Sequence, residues 1–78
     1  MNNEIGYYIV AFKESNKEQY LTTVYKDSIS YTAEYTSAMK FNDVAIAIVF
    51  AKQIKFLANF NCYVINVKTT LEVVENEN

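Results

Sequence analysis

The chain has no histidine, arginine, tryptophan or proline, one glycine (Gly6) and one cysteine (Cys62). Each absence removes a class of chemistry. Without His, no side chain has an ordinary pKa near neutrality, so the usual general acid or base is missing. Without Arg, no planar fork can grip a phosphate or a guanine edge at two points. One Gly cannot build a loop that cradles phosphate. A lone Cys offers neither a disulfide framework nor, with His absent, a zinc site. Cys62 fits a reducing compartment and ordinary packing at the mouth of a strand. A nucleophile drawn from Cys62, Ser, Thr or Lys would lack a His to activate it, and no motif points to a substitute base. The expectation is a protein that is not an enzyme and that holds no metal or cofactor.

Charge is equally sparse. The net value is −2, with seven lysines at positions 13, 17, 26, 40, 52, 55 and 68. They form no basic block, so direct nucleic-acid binding is not expected. The opening residues MNNEIGYY lack the basic and apolar regions of a signal peptide. The longest uncharged apolar run, 44–51, is far too short to span a bilayer. No membrane partner is expected, and the default location is cytoplasmic. What is abundant is apolar surface. At 51% hydrophobic and 15% aromatic residues, the 78-residue chain should fold as a single domain rather than remain disordered.

Residues 6–13 (GYYIVAFK) are β-branched and aromatic on both alternating faces, which predicts a strand with two covers or one beside an interface. The polar segment 14–18 breaks the pattern and 19–26 (QYLTTVYK) resumes it, a β-hairpin. A two-residue Ser15-Asn16 turn would set Lys13 opposite Glu18 and Glu14 opposite Lys17; a shift by one residue loses both pairs, so the register stays open. Residues 28–41 read two ways. Ile29, Tyr31, Ala33 and Tyr35 alternate as in a strand, yet Tyr31, Tyr35 and Ala38 are also spaced for one side of a short helix that Thr32 could cap. From 62 to 74 alternation returns, predicting a half-buried last strand, and 75–78 should be a frayed polar tail.

Asp43 to Phe60 reads as a helix of about 43–59, with Asn42 or Asp43 as its cap and Asn59 or Asn61 as terminators. It is apolar nearly all round. Ile46, Ala47, Phe50, Ile54, Leu57 and Ala58 form the stripe a core would take, and Ala45, Val49, Phe56 and Phe60 form a second one. A single sheet can bury one stripe, so the second needs another cover: a copy of the chain, another protein, or the segment 28–41. Lys52 and Lys55 read as the solvated side. The seven tyrosines exceed what one sheet face can hide. Tyr8, Tyr20, Tyr25 and Tyr35, with Val49, Phe56 and Phe60, are therefore the candidate partner- or self-interface residues.

The run YLTTVYKDSISYTAEYTSAMKFNDVAIAIVFAKQI resembles a class of very small proteins encoded by bacteriophages and other mobile elements of low-GC bacteria. Their pattern is a tyrosine-rich hairpin, a Thr-containing bend, an approach like Ala38 to Phe41, and an alanine-bearing amphipathic helix before a last strand. The resemblance implies a ββαβ-like fold and an accessory role, often inhibition of a host or defence protein as in anti-CRISPR inhibitors, within the host-cell cytoplasm if phage-encoded. It supplies no functional residues. The bulky, β-branched helix departs from the Ala/Glu/Lys-rich version and puts a monomeric state in question. The reading is a small α+β protein, one long helix on a mainly antiparallel sheet, that binds a host or defence protein. The alternative is an obligate homo-oligomer with a structural or scaffolding role.

Overall fold

A computed structural model describes residues 2–26 and 28–72. Four strands form one antiparallel sheet: β1 (Asn2–Glu14), β2 (Lys17–Tyr25), β3 (Ser28–Thr32) and β4 (Tyr63–Glu72), in the spatial order β3-β2-β1-β4. A single helix, α1 (Val44–Ala58), packs on β1 and β4. The fold is α+β, with one helix on an antiparallel sheet. Residues 73–74 of the expected last strand and the expected frayed tail 75–78 lie outside the described residues.

The first hairpin closes through Ser15 (φ 53°) and Asn16 (φ 67°), the two left-handed residues of a type I′ turn. Lys13 sits opposite Glu18 and Glu14 opposite Lys17. β1 starts at Asn2, four residues ahead of the expected Gly6. Residues 2–5 (NNEI), three of them polar, have little strand pattern of their own; they are extended because β4 pairs with them, in a ladder that runs from Asn2 opposite Glu72 through Ala11 opposite Tyr63.

β1 and β2 pair only at Ala11–Glu14 with Lys17–Tyr20, then diverge. The chain between β3 and α1 fills the fork. Phe41 exchanges two backbone hydrogen bonds of 2.8 Å with Tyr8, and the Met39 N–H donates to the Leu21 carbonyl at 2.9 Å. A register shift between Leu21 and Thr23 changes the alternation of β2. The extra residue returns Val24 to the side of the core and sends Tyr25 to the other.

Segment 28–41 follows the strand reading at its start; the alternative short helix through Tyr31, Tyr35 and Ala38 capped by Thr32 does not form, because Tyr31 is held in β3 and only a three-residue turn follows, with Glu34 as its N-cap. The segment is a strand through Thr32 and then a short 3₁₀ turn, Tyr35–Ser37, with the Thr32 hydroxyl accepting from the Glu34 N–H at 3.1 Å. The helix begins where Asp43 caps it: its carboxylate accepts from the Ala45 N–H at 2.9 Å. It ends at Asn59, left-handed at φ 60°, whose N–H reaches the Lys55 carbonyl at 3.0 Å.

The core between helix and sheet is Val10, Leu21, Phe41, Ala47 and Ile54, with Phe50, Ala51, Cys62 and Val64 packed against it. Two expectations about the helix need correction. Ile46, placed in the core stripe by periodicity, is 47% exposed, because α1 is turned so that Ala47 and Ile54 point straight into the sheet and Ile46 falls on the flank. Phe60, counted in the second stripe, is not helical. The left-handed turn at Asn59 swings it back, and its ring stacks on Phe12 at 4.3 Å between centroids. The rest of the second stripe, Ala45, Val49 and Phe56, faces solvent, so residues 28–41 do not cover it.

Candidate functional site: two faces and an open edge

The sheet face away from the helix carries the densest polar-aromatic cluster. Antiparallel partners point to the same side of a sheet, so Tyr20, Ala11 and Tyr63 form one row across β2, β1 and β4. Glu18, two residues before Tyr20, shares that face. Its carboxylate accepts the Tyr20 hydroxyl at 2.6 Å and also the Tyr63 hydroxyl. β4 and β2 are separated by β1, so the Tyr63 side chain must cross β1. It does so where Ala11, fully buried, leaves room for the ring. Tyr35 sets its ring edge-on to Tyr20 at 6.4 Å.

These hydrogen bonds favour an ionised Glu18 and neutral tyrosines. The Glu18 carboxyl is held below the usual range by the Tyr20 and Tyr63 hydroxyls, with nearby Lys13 adding attraction. The same carboxylate raises Tyr20 and pushes Tyr63 up to about 12. Tyr31, bonded to Glu14 at 3.0 Å, is raised for the same reason. Because the folded Tyr63 holds its proton more tightly than an ordinary tyrosine at 10.0, its contribution to stability is complete below pH 10 and lost as pH rises through about 12. Glu18 acts in the opposite sense: its contribution is present above the ordinary carboxylate range and lost as pH falls through its lowered value. Phenolate absorbance in a pH titration should therefore show a late-titrating tyrosine that vanishes in Tyr63→Phe. In Glu18→Gln it should move back toward pH 10. Because Tyr20 and Tyr31 are raised as well, the diagnostic signal is the phase near pH 12, and its persistence in Tyr63→Phe would remove this assignment.

The second surface is the outer face of α1. Phe56 is 79% and Val49 59% exposed, two helical turns apart on one ridge, and Val44, Ile46 and Ile48 are each more than 40% exposed. The third is a groove of about 430 Å³ between α1 and the start of β4. Ile48, Ala51, Cys62 and Val64 give it an apolar floor, and Lys52 and Lys55 stand at its lip. Burial pushes the Cys62 thiol up, away from the reactive thiolate.

The structure separates the seven residues singled out from sequence. Tyr20 and Tyr35 meet on the face opposite the helix. Val49 and Phe56 share the helix ridge. Tyr25, 70% exposed beside the Lys26 ammonium, stands alone at the end of β2. Tyr8 and Phe60 are half-buried and packed against the core, Tyr8 bridging Phe41 and Phe60 stacked on Phe12. Sequence reasoning did not single out Glu18 or Tyr63. Their alternation with neighbours was visible, but that both meet across β1 depends on the strand order.

No family model, curated protein or solved structure matches the chain. Among the described residues no three acidic, Cys or His side chains converge as a metal site would require, and no helix is long and apolar enough to cross a membrane.

Proposed function

We propose that this protein works by binding another protein, as a non-enzymatic accessory protein of the kind with which phages and other mobile elements inhibit or redirect a host or defence protein, anti-CRISPR inhibitors being one such group. The observation that carries the reading is the outer ridge of α1. A domain this small gains nothing in its own stability from a phenylalanine that is 79% exposed two turns from a valine that is 59% exposed. Large apolar groups gathered on one face mark an interaction surface. Anchors at Val49 and Phe56, spaced i and i+7, suit the mode in which a helix lays one face into an apolar groove of its partner.

The test is affinity capture of the tagged chain from a low-GC bacterial host, run beside the double variant Val49→Lys/Phe56→Lys. The wild type should retain a stoichiometric protein partner. The variant should keep its circular dichroism spectrum and lose the partner by at least about 100-fold in affinity, as two central anchors of about 1.4 kcal/mol or more each would dictate. Failure to recover any stoichiometric partner, or equal recovery with the variant, sinks the reading. A self-associating structural role is the second reading, and the outer edge of β4, unpaired among the described residues, favours it.

A further inference from the structure

The two edges of the sheet are not alike. β3, at one edge, has five residues and runs beside the register shift in β2, both features that blunt strand addition. β4, at the other, runs ten residues in unbroken register with β1, and among the described residues nothing pairs with its outer side. It has no proline, and between Tyr63 and Leu71 its sole charged residue is Lys68. An edge so long and so lightly defended is a template for another strand.

The hydrogen-bond phase of that edge follows from one bridge. Tyr8 directs both its N–H and its carbonyl at Phe41, away from β4. Asn66, opposite Tyr8, is therefore in a pair that exchanges no hydrogen bonds, and its own N–H and carbonyl point to the open side. Alternation extends this to Val64, Lys68 and Thr70. The open edge thus offers its backbone groups at even positions, while odd positions are spent on β1.

We infer that the occupant of this edge is a second copy of the chain, its β4 running antiparallel to the first about a two-fold axis at Val67. Such an axis pairs even positions with even ones: Asn66 with the partner's Lys68, and Val64 with the partner's Thr70, each pair exchanging two backbone hydrogen bonds. Val67 then lies against the partner's Val67, and Ile65 against the partner's Thr69. An axis at Lys68 would set two lysines face to face, which is destabilising. An axis at Asn66 would shorten the overlap. The register is thus selected by charge and length together.

Charge complementarity supports the same copy. One position past the pairing of Tyr63 with the partner's Leu71, the register brings the partner's Glu72 to Cys62, at the groove whose lip carries Lys52 and Lys55. By symmetry each subunit sets its position 72, an acidic one, in register beside the other's basic lip. This arrangement leaves Val49 and Phe56 on the outer ridge of α1, so it is independent of the partner-binding reading above.

The test is mass in solution by sedimentation over a concentration series, with charge swaps at Val67. The wild type should sediment at twice the monomer mass. Val67→Lys and Val67→Glu should each be monomeric and keep wild-type circular dichroism, because Val67 is only half-buried, and an equimolar mixture of the two should recover the doubled mass. Raising salt should weaken the wild-type dimer, as should Lys52→Glu combined with Lys55→Glu. Should a Val67 variant fail to fold, Asn66→Pro serves instead, since it removes an outward N–H without touching the ladder to β1, and it should give a folded monomer. A wild type monomeric at all concentrations overturns the proposal, including the case in which the edge accepts a foreign strand. So does a dimer that persists in the like-charged Val67 variants or in Asn66→Pro. Val49→Lys/Phe56→Lys should leave the mass doubled, which separates this interface from the helix ridge.

Discussion

Phe12→Ala is expected to lower the unfolding free energy by about 3–5 kcal/mol, the range for truncating a fully buried aromatic side chain. Phe12 has no exposed surface. Its ring stacks on Phe60 at 4.3 Å with an interplanar angle of 12°, and Tyr31 meets it edge-on at 5.2 Å. These contacts join β1, β3 and the turn after α1, three parts of the chain that share no local connection. The offset and edge-to-face arrangements add to the simple burial of area. A domain of this size stands near the lower end of the usual 5–15 kcal/mol of stability, so the variant should have a large unfolded fraction at room temperature. Urea denaturation followed by circular dichroism measures the change. A loss below about 1 kcal/mol would show that the Phe12-Phe60-Tyr31 cluster is not part of the cooperative core.

The second large effect comes from placing one charge at two neighbouring helical positions. Ala47→Glu should abolish folding, whereas Val49→Glu should alter stability by no more than about 0.5 kcal/mol. Ala47 is fully buried in the cluster with Val10, Leu21, Phe41 and Ile54, where no polar side chain is available to a carboxylate. Burying an unpaired charge there costs at least about 3 kcal/mol, and the longer side chain would also wedge the helix off the sheet. Val49 is 59% exposed, so a glutamate there reaches water directly. Thermal melts of the two variants decide the matter. Equal destabilisation would mean that α1 is rotated relative to the sheet, and the outer ridge would then cease to be a surface at all.

That pair of variants addresses the point at which sequence reasoning ran out. Periodicity could show that α1 carries more apolar surface than one sheet can cover, but not which stripe is turned inward. Ile46 and Ile54 have the same hydrophobicity, yet Ile54 is buried and Ile46 is 47% exposed. The difference lies in the angle at which the helix meets β1 and β4, a property of the packed pair. Phe60 shows the same limit at the helix end. Asn59 was legible as a terminator because Asn tolerates a left-handed backbone. The direction in which that turn would throw the next side chain, onto Phe12, was not.

Some features were fixed locally and could be read directly. The Ser15-Asn16 turn, with Lys13 facing Glu18 and Glu14 facing Lys17, needs only two left-handed residues and complementary charges. The Asp43 cap needs only a short carboxylate before an apolar run. The existence of three strands and one long helix follows from the period of the apolar pattern. So does the small α+β class, because alternating and helical periods coexist in a chain too short for two cores.

The sequence by itself determined these elements, their caps and the first turn, because each rests on interactions within a few residues. Tertiary structure alone decided the rest: the order β3-β2-β1-β4, the fork filled by Met39 and Phe41, and the meeting of Glu18 with Tyr63 across β1. It also decided which sheet edge is unpaired among the described residues and which helix stripe meets solvent. Those outcomes depend on residues far apart in the chain competing for the same buried space and hydrogen-bond partners, and no local pattern records who wins.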